Sequence, residues 1–201
     1  MHSAPLNTMN FDDVLGEFRA SGALLEGHFK LSSGRHSGHY LQCARVLMNP
    51  ARAARIAEAV VAAIPADVRA AIDVVVSPAM GGIIIGHEIG RVLGKDALFL
   101  ERPEGVFHLR RGFALEAGAK VLMVEDVVTT GLSSREAIAA VGREGGEVIA
   151  ECAIIDRSAG TVDLGVPFYP LVAFDFPTYA EDEVPAALAA IAVTKPGSRK
   201  A

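Results

Sequence analysis

Val121-Leu-Met-Val-Glu125-Asp126-Val-Val-Thr129-Thr130-Gly131-Leu-Ser133-Ser134-Arg135-Glu136 is the stretch on which the reading of the whole chain turns. Four apolar residues run straight into two adjacent carboxylates, and a loop of hydroxyls and one glycine leads into a helical pattern. A short apolar run without alternation fits a strand buried on both faces of a parallel sheet. Ligands of open α/β sheets bind just outside the carboxyl ends of such strands. Two unpaired anions there repel each other, so they call for a partner. A vicinal diol can donate hydrogen bonds to both, and a hydrated Mg²⁺ also suits them. Residues 129–133 offer hydroxyls and backbone N–H groups at a helix N-terminus, which is a cradle for phosphate. Diol and phosphate sites a few residues apart describe a holder for ribose 5-phosphate. The plainer alternative is two solvated strand-end acids and an ordinary turn with Ser133 as an N-cap.

Working outward, strand and helix alternate. Residues 73–77 read as a short buried strand, and Gly81-Gly82 turns into a helix to about Leu93 that Gly94 closes. Residues 97–100 form the next strand, 133–142 the helix after the opening strand, 147–155 another strand and 170–174 the last. Residues 183–193 read as a short terminal helix and 194–201 as a mobile tail. Towards the N-terminus, Phe11, Val14, Leu15, Phe18 and Leu24 recur at near-helical spacing behind Asn10, a candidate cap. Residues 27–42 alternate about a Ser-Ser-Gly turn, as in a hairpin, and Asn49-Pro50 starts a helix that Pro65 stops. Residues 101–119 carry two short β-like pieces around Gly105 and Gly112, which predicts a protruding hairpin. The order predicts an α/β fold with a central parallel sheet flanked by helices on both faces. One domain over residues 1–201 is expected, with 1–45 as a small N-terminal hood.

The bulk numbers are compatible. The chain has 201 residues, 51% of them hydrophobic and 21% charged, enough for a sizeable core and too few charges for global disorder. A net charge of -5 argues against a nucleic-acid partner. No apolar run reaches the roughly 20 residues of a membrane span, and no basic-then-apolar leader opens the chain. Cys43 and Cys152 stand in no metal-ligand spacing, and so few cysteines fit a reducing, cytoplasmic setting. Residues 81–86 have Walker A glycine spacing, but His87-Glu88 replaces the required Lys-[Ser/Thr]. His28, His36 and His39 lie close in sequence and are read as solvated rather than as a metal site.

At residues 121–133 the chain resembles the phosphoribosyl pyrophosphate (PRPP) signature of the type I phosphoribosyltransferases, and within them the orotate-using members most. The resemblance implies that Glu125 and Asp126 hold the ribose hydroxyls and act as the catalytic acids. It implies a PRPP site of Glu125, Asp126, Val127, Val128, Thr129, Thr130, Gly131, Leu132 and Ser133, with residues 129–133 on the 5′-phosphate and Thr129 also near the orotate ring. Leu132 stands where the family usually has a small residue. Ser77-Pro-Ala-Met80-Gly81-Gly82 resembles the pyrophosphate loop, with Gly81 where orotate enzymes often carry lysine; a tight strand-to-helix turn is the bland reading.

Other segments carry the resemblance further. Arg102, His108, Arg110 and Arg111 fall in the hairpin that matches the family's flexible loop, which closes over pyrophosphate, often across a dimer interface; an exposed hairpin with solvated charges is the alternative. Phe29-Lys-Leu-Ser32-Ser33-Gly34-Arg35-His-Ser37-Gly-His-Tyr40 is similar to the segment that covers the base. Ile154-Ile155-Asp156-Arg157 resembles an apolar-Asp-Arg motif whose arginine binds orotate. A planar guanidinium can hold a carboxylate or a ring carbonyl bidentately. The implied activity is Mg²⁺-dependent transfer of ribose 5-phosphate from PRPP to orotate by a cytoplasmic homodimer, with no firm protein ligand for the metal. A purine phosphoribosyltransferase and a non-catalytic nucleotide-binding regulator are the alternatives.

Overall fold

The computed structural model describes residue 6, residues 8–31 and residues 33–195. Ser32 of the Ser-Ser-Gly turn and residues 196–201 of the expected tail lie outside the described residues. Helix α1 (Phe11–Ala20) leads into strands β1 (Leu24–Lys30) and β2 (His36–Leu41), followed by helices α2 (Cys43–Leu47), α3 (Pro50–Ala63) and α4 (Ala66–Ala71). Then come β3 (Val74–Pro78), α5 (Gly82–Leu93), β4 (Ala97–Glu101), β5 (His108–Leu109), β6 (Lys120–Val128), α6 (Leu132–Arg143) and β7 (Glu147–Asp156). The chain continues with β8 (Phe168–Ala173), β9 (Thr178–Tyr179), α7 (Ala186–Ala189) and β10 (Val193–Thr194).

The main sheet has the order β5-β4-β3-β6-β7-β8, and only β5 runs antiparallel to its neighbour. Period-two alternation sends the side chains of β6 to two separate cores. Leu122 and Val124 pack with Ile56 and Val60 of α3 and Ile85 and Ile89 of α5. Val121 and Met123 pack with Ala137, Ala140 and Val141 of α6. Helices therefore cover both faces, as a mostly parallel sheet requires. The expected helix starts are built as the residues dictate. Asn10 and Asp13 exchange side-chain-to-backbone hydrogen bonds of 3.0 Å each, a capping box, and the Asn49 side chain accepts from the Arg52 N–H at 3.0 Å.

Several expectations need correction. β6 does not stop at Val124 but continues through the acidic pair, because β7 pairs with it as far as Val128 opposite Asp156. A second, four-stranded sheet of order β10-β1-β2-β9 draws strands from both ends of the chain, so the hood is not confined to residues 1–45. Thr194, expected in a tail, pairs with Phe29 in that sheet. The terminal helix shrinks to α7, preceded by a short 3-10 turn. In the basic segment β5 pairs with β4, giving a small hairpin, but the piece around Gly112 is a turn in which Arg111 and Gly112 both have positive φ. His28 and His36 are buried rather than solvated, and Nε2 of one lies 2.7 Å from Nδ1 of the other. Among the described residues no cluster of three or more His, Cys, Asp or Glu is arranged to hold a metal.

Candidate active site

The carboxyl ends of β3, β6 and β7 open into a cleft of about 680 Å³ that the hood closes from one side. Asp126, Val127, Thr129 and Thr130 line it from β6 and its loop, Arg157 from the end of β7, and Met80 and Gly81 from the turn before α5. Leu31, Ser33, Arg35 and Tyr40 of the hood hairpin complete the wall with Thr178 of β9. Arg35 pins β9 in place, donating to Thr178 Oγ1 at 2.9 Å and to its carbonyl oxygen at 2.6 Å.

The two acids part company. Neighbours on a strand point to opposite faces. Asp126 faces the cleft, and a Cβ placed on Gly81 would come within 2.7 Å of its carboxylate oxygens. A side chain at position 81 would have to displace that carboxylate, so glycine suits so close an approach. Glu125 is buried on the other face and is not among the cleft's lining residues. Burial raises its carboxyl to about 8, helped by the charges of Asp126 and Glu151 and opposed by the Ser133 hydroxyl. Burial also raises Asp126, and the Val127 N–H, donating to its Oδ1 at 2.9 Å, partly offsets this. Across the cleft, burial and then Asp126 push the Tyr40 hydroxyl and the Cys43 thiol above their ordinary values.

The loop after β6 is shaped by Gly131, whose φ of +71° favours glycine; a Cβ there would meet Val162 at 2.5 Å and Leu164 at 2.7 Å. Gly131 is also the N-cap of α6 and supplies no side-chain cap. The Leu132 N–H reaches Thr130 Oγ1 at a long 3.4 Å, and the N–H groups of Ser133 and Ser134 have no acceptor among the described residues, the condition for anion binding at a helix start. Leu132 and Ser133 of that turn are exposed. Arg135 braces the loop, donating to the carbonyl oxygens of Thr130 and Asp163 at 3.1 Å each.

Arg157 is held by its backbone, which donates to the Val128 carbonyl at 2.8 Å. Its guanidinium lies 6.0 Å over the Phe176 ring and has no hydrogen-bonding partner among the described residues. Burial lowers its pKa, and the Tyr40 hydroxyl opposes that change. Asp156 does not neutralise it, because its Oδ1 accepts from the Ser158 N–H at 2.7 Å. The result is a half-buried, unpaired cation in a concave site.

The hairpin arginines are not in the cleft. Arg111 and Arg110 reach Glu101 at 2.7 and 3.5 Å, and Arg102 pairs with Glu136 of α6 while lying 4.0 Å over the Phe107 ring. His108 is exposed on β5. Arg35 and Tyr40 belong to the segment that the resemblance puts over the base, and both line the cleft; Thr178 lies in no motif of the sequence. Thr178 reaches the cleft through the pairing of Ser37 with it across β2 and β9, a contact between distant segments that no local pattern signals.

A family model described as a phosphoribosyl transferase domain matches residues 43–172. A protein of Erythrobacter litoralis named orotate phosphoribosyltransferase is 74% identical over 95% of this chain and 99% of its own. One of Novosphingobium aromaticivorans with the same name is 71% identical over 94% of this chain and 97% of its own. The solved orotate phosphoribosyltransferase of Aeropyrum pernix superposes with a TM-score of 0.66 at 23% identity, covering 80% of this chain and 93% of that one, which shows the shared fold. With the matched family spanning the strand, loop and helix that build the cleft, the chain belongs to the phosphoribosyl transferase family, alongside relatives named orotate phosphoribosyltransferase.

Proposed function

We propose that this chain transfers the ribose 5-phosphate group of PRPP to N1 of orotate, giving orotidine 5′-monophosphate and pyrophosphate, a step of pyrimidine synthesis. The observation that carries the choice of acceptor is Arg157: a half-buried guanidinium without a hydrogen-bonding partner among the described residues suits a base that bears a carboxylate. Close relatives with that name support the same reading. In the reaction the bond from C1′ to the pyrophosphate oxygen breaks and the bond from C1′ to N1 forms. Orotate entering ionised at N1 leaves no proton to be removed, so no general base is needed.

The protein's contribution is position and charge. The open first turn of α6 and the hydroxyls of Thr129 and Thr130 take the 5′-phosphate. Asp126, facing the cleft, takes ribose hydroxyls, and its negative charge favours the cationic character that develops at C1′ as pyrophosphate departs. Glu125 supports the same strand end from the opposite face. Met80 and Gly81 lie beside the place of the leaving group, while Arg102, Arg110 and Arg111 would reach it only by leaving their carboxylates. Mg²⁺ would suit this site, with the Asp126 carboxylate as the oxygen donor that would help to hold it, and when bound with PRPP it would supply positive charge for the leaving group.

The reading extends to setting and assembly. Two free, buried cysteines fit a reducing cytoplasm, and no helix among the described residues is long and apolar enough to cross a membrane. The family resemblance extends the reading to a homodimer. The deciding assay offers PRPP and Mg²⁺ with orotate, hypoxanthine or adenine in separate reactions. Orotate should be consumed and the purines left. Turnover of a purine instead, or of none of the three, overturns the reading in favour of a purine enzyme or a non-catalytic binder.

A further inference from the structure

Glu151 is a full charge-bearing side chain placed in the core. It lies in the middle of β7 with no exposed surface, on the α6 face of the sheet opposite Met123. Its neighbours Ala150 and Cys152 point to the other face. Oε1 accepts the hydroxyl of Ser134 at 2.6 Å, and Ser134 is itself buried. Oε2 is buried and has no hydrogen-bond partner among the described residues. A half-satisfied carboxyl among Val, Ile and Ala side chains is costly, and an apolar residue of the same size would pack there without that cost. The residue therefore needs a reason other than stability.

Its one partner supplies the reason. Ser134 sits in the first turn of α6, directly after Leu132 and Ser133. Its N-cap, Gly131, supplies no side chain, and Thr130 Oγ1 accepts from the Leu132 N–H only at 3.4 Å. Arg135 braces the loop from its solvent side through the Thr130 carbonyl. From the sheet side, two side-chain hydrogen bonds hold the turn: Ser134 to Glu151 at 2.6 Å, deep in the core, and Ser133 to Glu125. We infer that Glu151 is a positioning residue: through Ser134 it fixes the first turn of α6 so that the Ser133 and Ser134 N–H groups are aimed at the 5′-phosphate of PRPP. This rests on the proposed function for the identity of the phosphate. Burial lifts the Glu151 carboxyl to about 7, with Ser134 opposing the rise, so a neutral group at this position can do the work. Glu125 and the Cys152 thiol are the titratable groups that sense its charge.

The test is steady-state kinetics of the full chain, with PRPP and orotate varied in turn, on Glu151→Met, Glu151→Gln, Ser134→Ala and the double variant Glu151→Met with Ser134→Ala. Glu151→Met should raise KM for PRPP about tenfold and leave kcat and KM for orotate within about twofold, while melting no lower than the parent. Glu151→Gln, whose amide can still pair with Ser134, should keep KM for PRPP within about twofold of the parent. Ser134→Ala should also raise KM for PRPP, and the double variant should add nothing to the larger single effect. A well-folded Glu151→Met with unchanged KM for PRPP, equal losses for both substrates, or additive single effects each overturn the inference. If Glu151→Met does not fold, Ser134→Ala decides, and an unchanged KM for PRPP sinks the idea. A parent that turns over no PRPP removes the proposed function itself, whereas an active parent with indifferent variants removes only the role of Glu151.

Discussion

Arg157 and Arg111 are both arginines just beyond a strand, one after the parallel β7 and the other after the antiparallel β5, yet they stand in opposite situations. Arg157 is half-buried in the cleft and has no partner among the described residues, while Arg111 is exposed and already paired with Glu101 at 2.7 Å. The first cation is ready for a ligand and has lost part of its hydration in advance. The second must exchange a carboxylate for any ligand it takes, which leaves little net gain in water-exposed surroundings. The same contrast separates the two acids: Asp126 is open to the cleft, and Glu125 is packed against the far face. On the proposed function, the base side of the site is assembled in advance, and the leaving-group side is not.

The largest expected effect tests the unpaired cation. Arg157→Ala should raise KM for orotate roughly 10- to 100-fold, the size of a lost charge-assisted hydrogen-bonded pair, with KM for PRPP little changed. Equal loss for both substrates in the same kinetic experiment breaks the assignment of Arg157 to the base.

A smaller effect should appear in stability. The folded-state value of about 8 for Glu125 lies well above the ordinary carboxyl value of 4.5. Across that window the folded chain holds a proton that the unfolded chain releases, so stability falls as pH rises from the ordinary value to the raised one. Glu151, raised to about 7, acts in the same direction. Glu125→Gln removes part of this dependence, and between about pH 5 and pH 8.5 its melting temperature should fall less than the parent's, by on the order of 5 °C. Parallel melting curves for parent and variant across that range contradict the buried, protonated Glu125.

The smallest effect concerns the occupied arginines. Glu101→Gln frees Arg110 and Arg111, and because exposed pairs contribute only about 0–1 kcal/mol, kcat/KM for PRPP should rise no more than about threefold. A drop of tenfold or more indicates that Glu101 itself serves the site, and it breaks the contrast with Arg157.

Much of this arrangement was legible in the residues. The apolar run, the acid pair and the hydroxyl-glycine loop gave a strand, a site and a helix start from local rules alone, and Asn10, Asn49 and Gly94 marked helix ends for the same reason. What escaped was non-local. Two-residue strands such as β9 and β10 carry no periodicity, so the second sheet and the place of Thr178 followed only from pairing with β1 and β2. The buried pair His28 and His36 looked like surface histidines because nothing nearby in sequence announces the segment that covers them. Among its contacts is the Ile191 carbonyl, 3.1 Å from His28 Nδ1.

By itself the sequence determined the α/β order, the acid pair and the phosphate-sized loop, since periodicity, glycine and capping chemistry act over a few residues. The tertiary structure decided that Asp126 and Glu125 face opposite ways, because pairing with β7 extends the strand past both. It also decided which arginine is free, since Glu101 and Glu136 reach the hairpin and the Asp156 carboxylate turns to its own backbone. Charge becomes function only where packing withholds a partner, and that is settled by contacts between segments far apart in the chain.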